Sequence, residues 1–168
     1  MTSGGLKKIL VTGGSGMIGS AVLSKLLERK GSLLKTQVRD RLAARAKLGK
    51  AMDITMVEFE QADFTRVGAQ EMQALTKDCD TVIHCAGLVH NEGAAYQEYE
   101  VVNVRATQLL AEACMATGVR TLIFLSTSAV YGKGPFKNIE ESTPPQAKTP
   151  YAVSKVTSEN YLQSLNGR

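Results

Sequence analysis

The stretch "ILVTGGSGMIGSAV", residues 9–22, decides how the rest of the chain is read. Two glycine patterns overlap in it: G-x-G-x-x-G from Gly14 through Gly16 and Gly19, and G-x-x-G-x-x-G from Gly13 through the same two. The apolar run "KILV" (8–11) leads in as a buried strand, and a helical stretch from Met17 to Arg29, closed by Gly31, leads out. A glycine loop between strand and helix is the setting of the dinucleotide fingerprint. There glycine allows the tight turn, the backbone approaches a pyrophosphate closely, and the positive end of the helix dipole receives the charge. Within that strand–helix frame, spacing leaves both glycine patterns open.

Working outward, short β-rich runs alternate with helical ones. Strands are expected at "LLKTQV" (33–38), "ITMVEF" (54–59), "TVIHCAG" (81–87) and "RTLIFLSTS" (120–128). Between them come "RLAARAKLGKA" (41–51) as a loose basic helix or loop, a helix at 69–78, and a strong helix at 99–118 stopped by Gly118. A Pro/Gly-rich loop over 132–150 follows, and loops of that length are functional or disordered. A last helix runs from Tyr151 to Leu165. Strand–helix alternation with near-continuous apolar strands predicts an α/β fold, a doubly wound parallel sheet covered on both faces.

Composition narrows the class. The 168 residues, 43% hydrophobic and 21% charged, suit one ordinary globular domain. A net charge of +4, scattered and with few aromatics among the basic residues, speaks against a nucleic-acid surface. Cys79, Cys85 and Cys114 show no C-x-x-C spacing and are odd in number, which predicts a reducing compartment and neither a disulfide framework nor a zinc site. The N-terminus lacks a secretory apolar core, and no run reaches membrane-span length, so a cytoplasmic location is expected. His84 and His90 read as packing or cleft-wall residues; no metal site is expected.

Two further places carry chemistry. After the second strand the chain reads Val38-Arg39-Asp40-Arg41, where a ribose-reading group is expected. Arg39 there suits a 2′-phosphate and tilts the expectation from NAD to NADP, while Asp40 is in position for a ribose hydroxyl. In "TPYAVSK", Tyr151 and Lys155 stand four residues apart and share a helix face. A phenol with a pKa of about 10 is a poor base at neutral pH. A neighbouring ammonium favours the phenolate and makes a usable general acid/base of it. Ser126, Thr127 and Ser128 close the fifth strand, at the sheet edge where such folds bind ligands, and one of these hydroxyls can face a substrate oxygen.

Taken together, "VTGGSGMIG", "ADFT", "VIHCAG", "VNVRATQLLAEAC", "FLSTSAVYG" and "EESTPPQAKTPYAVSK" resemble an extended short-chain dehydrogenase/reductase of the NAD-dependent epimerase/dehydratase family, its nucleotide-sugar epimerases in particular. The resemblance implies a Rossmann-like sheet of strand order 3-2-1-4-5 and selects the Gly13, Gly16, Gly19 spacing. It puts Met17 and Ile18 at the pyrophosphate, Arg39 at the adenosine ribose, and Asp63 with Phe64 at the adenine. Cys85, Ala86 and Gly87 would line the cofactor's middle, with Asn103 a structural, cofactor-side brace. Thr127, Tyr151 and Lys155 would be the catalytic set for reversible hydride transfer, Tyr151 and Lys155 also touching cofactor. Ser128 and Ala129 stand where the sugar dehydratases carry an Asp-Glu pair, which disfavours dehydration.

The family continues past its Tyr–Lys helix into two more parallel strands and a smaller substrate domain. The 168 residues are thus expected to form the NAD(P)-binding Rossmann domain alone, incomplete at its C-terminus and inactive by itself, as a truncated form or a proteolytic fragment. A nucleotide-sugar substrate and a homodimer of the complete protein are expected, with no nucleic-acid or membrane partner. Two alternatives remain open here: an NADPH-dependent reductase of another carbonyl, such as a sterol or flavonoid-like substrate, and a non-catalytic NAD(P)-binding protein.

Overall fold

In the computed structural model, residues 6–89, 93, 95–135 and 137–165 are described. His90 lies outside them. Five strands, β1 (Lys7–Thr12), β2 (Ser32–Val38), β3 (Val57–Gln61), β4 (Thr81–His84) and β5 (Thr121–Phe124), form one parallel sheet in the order β3-β2-β1-β4-β5. That is the order the resemblance implied. The chain divides into two compact units.

The first unit, residues 1–87 and 109–125, holds the whole sheet. Helices α1 (Met17–Arg29) and α2 (Arg41–Leu48) lie on one face, where Leu23, Ala44 and Leu48 pack with Val11, Leu34, Val38, Val57 and Phe59. Successive strand residues point to opposite faces, so Lys35 emerges on the other side. There its ammonium reaches the Ala74 carbonyl of α3 (Ala69–Thr76), 3.4 Å away, which puts α3 on the second face. Leu10 and Val82 are register partners and both fully solvent-excluded. Lys35 is buried, and Glu58 on β3 stands between its ammonium (3.8 Å) and that of Lys8 (2.7 Å).

The bounds of β3, β4 and β5 differ from the sequence expectation, and an alternative left open at 41–51 is decided. The basic stretch 41–51 is a true helix over Arg41–Leu48, because Asp40 caps it by accepting a hydrogen bond from Ala43 N–H at 2.9 Å. The third strand starts at Val57, not at residue 54. Asp53 folds 53–55 into a turn through Thr55 N–H and Oγ1, and Val57 N–H bonds back to Ile54. β4 and β5 stop at His84 and Phe124, leaving 85–87 and 125–127 as extended chain beyond the ladder.

The second unit comprises residues 88–108 and 126–168. The helix expected at 99–118 begins earlier, as α4 (Tyr96–Tyr99), and runs through a π-helical segment, Glu100–Arg105, into α5 (Ala106–Thr117). A 3₁₀ turn, Ser128–Tyr131, follows β5 and packs against α6 (Pro150–Ser164). The long loop between them folds back, with Gln146 N–H donating to the Val130 carbonyl at 2.8 Å. Thr149 caps α6 through Ala152 N–H, and Pro150 occupies its first turn. No helix among the described residues is long and apolar enough to cross a membrane.

The Lys8 ammonium holds the Glu58 carboxyl below its ordinary value of 4.5. A lowered carboxyl pKa adds stability that is present above 4.5 and lost as the pH falls through the folded-state value. Chemical denaturation should therefore find Glu58→Gln less stable than wild type at pH 7, by up to about 1 kcal/mol. The gap should close as the pH drops below 4.5; a gap independent of pH would remove the ion pair as its cause.

Candidate functional site

In the first unit the glycine loop leaves β1 with a bend that needs Gly13 at φ +67°, a left-handed conformation. A Cβ there would lie 2.8 Å from the backbone N and Cα of Ala86, so the β1 and β4 ends meet backbone to backbone. A Cβ on Gly19 would overlap the Gly13 carbonyl oxygen, so that position of α1 can seat only glycine. Gly14 is just as constrained, against Thr36 Oγ1. Both overlapping glycine patterns thus have steric reasons.

α1 starts behind this loop with Gly16 at its N-cap, no side-chain cap and no acidic residue in its first turn. The leading N–H groups of a helix need partners from outside it. Here neither a side-chain cap nor an acidic residue of the first turn competes for them, and Met17 (84% exposed) and Ile18 carry their side chains outward. A loop closed to side chains and a helix start open to an anion together fit a pyrophosphate. Lys47, on α2, adds a cation by donating to the Ser15 carbonyl at 2.7 Å. The sequence offered no signal for Lys47 beyond a basic helix.

The sheet's carboxyl edge holds the other first-unit residues. Arg39 is exposed just past β2. The exposed Asp63 carboxylate accepts from Thr65 N–H (3.0 Å) and Oγ1 (2.9 Å); these bonds, with smaller help from Arg66 and Arg39, hold its pKa below the ordinary range. Phe64 turns its ring inward against His84, centroids 6.1 Å apart, and Phe124 flanks the imidazole at 5.8 Å. His84 is a core residue bonded through Nδ1 to Thr12 Oγ1 at 2.7 Å, and Thr12 Oγ1 also accepts from Ala86 N–H. Cys85 and Ala86, half-buried, and the exposed Gly87 continue this edge. Cys79 and Cys114 are buried instead, and burial pushes the Cys114 thiol up to about 12.

In the second unit, Thr127 begins the 3₁₀ turn, half-buried, its hydroxyl accepting from Ala129 N–H at 3.3 Å. The neighbouring hydroxyls are placed differently: Ser126 bonds the Glu159 carboxylate, and Ser128 is exposed. Tyr151 is half-buried with its ring 6.2 Å from that of Tyr99, and Lys155, one turn further along α6, is only 6% exposed. Asn103 lies in the π-helical segment, buried. Its carboxamide pairs with Leu88 in both directions, accepting from N–H at 2.7 Å and donating to C=O at 3.0 Å. It also donates to Ser154 Oγ, whose hydroxyl donates to the Tyr151 carbonyl at 2.7 Å. Ser154 joins Lys47 as a residue the sequence did not single out.

Residues 9–168 match the NAD dependent epimerase/dehydratase family. A 3β-hydroxysteroid dehydrogenase type 7 of Mus musculus is 36% identical over 167 residues, 95% of this chain and 44% of that protein. A UDP-glucose 4-epimerase of Mus musculus is 32% identical over 171 residues, 95% of this chain and 49% of that one. Among solved structures, a UDP-glucuronic acid 4-epimerase from Bacillus cereus, in complex with UDP-glucuronic acid and NAD, superposes with a TM-score of 0.81 at 27% identity, covering 94% of this chain and 51% of its own. The chain therefore spans about half the length of these relatives. With the strand order, the glycine loop and a match across nearly all of its length, the chain belongs to the NAD-dependent epimerase/dehydratase family.

Proposed function

We propose that the whole protein is a nicotinamide-dinucleotide-dependent nucleotide-sugar epimerase, or a related sugar-nucleotide oxidoreductase, working in the cytoplasm. The observation that carries the enzymatic reading is Lys155, an ammonium buried to 6% exposure on the same helix face as Tyr151. Burying a charge is costly, and a proton-transferring phenol one turn away gives that charge a use. When bound, the dinucleotide supplies the group that accepts and returns hydride. Gly13, Gly16, Met17, Ile18 and Gly19 would hold its phosphates, Arg39, Asp63 and Phe64 its adenosine end, and Cys85, Ala86, Gly87 and Asn103 its middle. The Tyr151 hydroxyl would take the proton from the substrate alcohol and give it back, with Lys155 lending positive charge. Thr127 would donate to the same substrate oxygen and steady its developing charge. Ser128 and Ala129 offer no carboxylate for removing water, so dehydration is not proposed. A nucleotide-sugar substrate is supported by the likeness to the UDP-glucose and UDP-glucuronic acid epimerases.

A second reading is favoured by the 36% identity to a 3β-hydroxysteroid dehydrogenase: the same three side chains oxidising or reducing a sterol-like carbonyl. Turnover of UDP-glucose against a 3β-hydroxysteroid separates the two. The preferred dinucleotide is also a proposal. The NAD-bound relative supports NAD, while the exposed Arg39 supports NADP.

In the complete protein, Tyr151→Phe should lower turnover at least about 100-fold, the scale of general acid/base catalysis, while a dinucleotide titration changes little. Equal activity of the two forms would refute the role of Tyr151. If Arg39 reads a 2′-phosphate, Arg39→Asp should weaken NADP relative to NAD by about tenfold or more, the worth of a charged hydrogen bond; an unchanged ratio would leave NAD as the cofactor. The helices 96–117 and 150–164 are proposed to pair with those of a second copy, so sedimentation of the complete protein should find a dimer, and a monomer alone would reject that pairing.

A further inference from the structure

Gln37 is the next-to-last residue of β2 and is 2% exposed, a carboxamide in a strand whose last five residues are all buried. Its Oε1 accepts the Gly13 backbone N–H at 3.0 Å, and its Nε2 donates to the Ala62 carbonyl at 2.6 Å. Its own carbonyl accepts Gly14 N–H at 3.2 Å. The amide can sit only one way round, since Gly13 offers a donor and Ala62 an acceptor. One side chain therefore bridges the first residue of the glycine loop to the residue just ahead of Asp63 and Phe64. Both segments are extensions of strands; backbone bonds tie each to the end of β2, Gly14 N–H to the Gln37 carbonyl and Ala62 N–H to that of Val38, and the Gln37 carboxamide adds the side-chain bridge between them. On the other flank, the close approach of Ala86 prevents Gly13 from moving away from Gln37.

We propose that Gln37 is a positioning residue of the dinucleotide site: it fixes the spacing between the loop that takes the phosphates and the Asp63–Phe64 turn that takes the adenosine. It touches neither part of the ligand. The inference rests on the reading that this loop holds a dinucleotide. Its consequence is specific: only a ligand that grips both segments at once depends on their separation.

The test compares ADP-ribose, which spans both segments, with inorganic pyrophosphate and adenosine, which each engage one. In the whole protein, Gln37→Met removes both hydrogen bonds at nearly constant length, and Gln37→Glu keeps the acceptor for Gly13 while losing the donor to Ala62. Titration calorimetry should find ADP-ribose at least about tenfold weaker in Gln37→Met, the scale expected when buried polar groups lose their partners. Gln37→Glu should fall in between. NMR titrations should find pyrophosphate and adenosine each changed by less than about threefold, well under the loss for one hydrogen bond to a charged group. Should Gln37→Met not fold, as judged by its melting curve, Gln37→Glu carries the same comparison. Unchanged ADP-ribose affinity in the folded variants would overturn the inference, as would losses of equal size for all three ligands. Wild-type protein that binds no ADP-ribose would instead overturn the dinucleotide reading beneath it.

Discussion

The first unit depends on one constraint: the backbone at Gly13 is held on both sides within a few ångströms. Gln37 takes its N–H on the β2 side, and Ala86 stands on the β4 side where any Cβ would have to go. Because β1 lies between β2 and β4 in the sheet, this one residue carries the register of three strands into the loop beyond them. The loop's left-handed turn follows, then the close seating of Gly19 on the Gly13 carbonyl, then the start of α1 at Gly16 without a side-chain cap. Steric exclusion thus sets the shape of the loop, which leaves its backbone little conformational freedom.

The second unit is organised by polar bonds more than by apolar packing. Serines 154 and 158 of α6 are fully buried and face the π-helical segment, Ser158 donating to the Asn103 carbonyl and Ser154 accepting from the Asn103 amide. Thr107 bonds the same carbonyl. A π-helical turn shifts carbonyls out of their ordinary i→i+4 pairing, and these hydroxyls satisfy the one at Asn103. Among the described residues no buried side-chain nitrogen or oxygen lacks a partner. The network holds α6 rotated so that Tyr151 and Lys155 occupy the half-buried and buried positions they do. Family membership and this arrangement agree: relatives that handle quite different alcohols, a steroid and a nucleotide sugar, match the same stretch of chain.

Most of the fold was legible because its signals are local. β1, the glycine loop and α1 follow from "ILVTGGSGMIGSAV"; the Thr-Pro start of α6 and the four-residue step from Tyr151 to Lys155 are equally short-range. The errors arose where a side chain overrode a pattern. Asp53 bends the start of "ITMVEF" into a turn although its residues favour a strand; where the basic stretch left helix and loop open, Asp40 decided for the helix by capping it. Apolar periodicity cannot show the π-helical segment either, since one extra residue in a turn barely disturbs a pattern read over twenty.

By itself, then, the amino-acid sequence determined the succession of strands and helices, the sterically obligatory glycines and the family, all encoded in neighbouring residues. Tertiary structure alone decided which polar residues act on which distant backbone: Gln37 on Gly13 and Ala62, Thr12 on His84 and Ala86, Asn103 on Leu88 and Ser154. The physical reason is that a buried polar group must find a partner in space, whereas spacing along the chain reports only what lies within a turn or two.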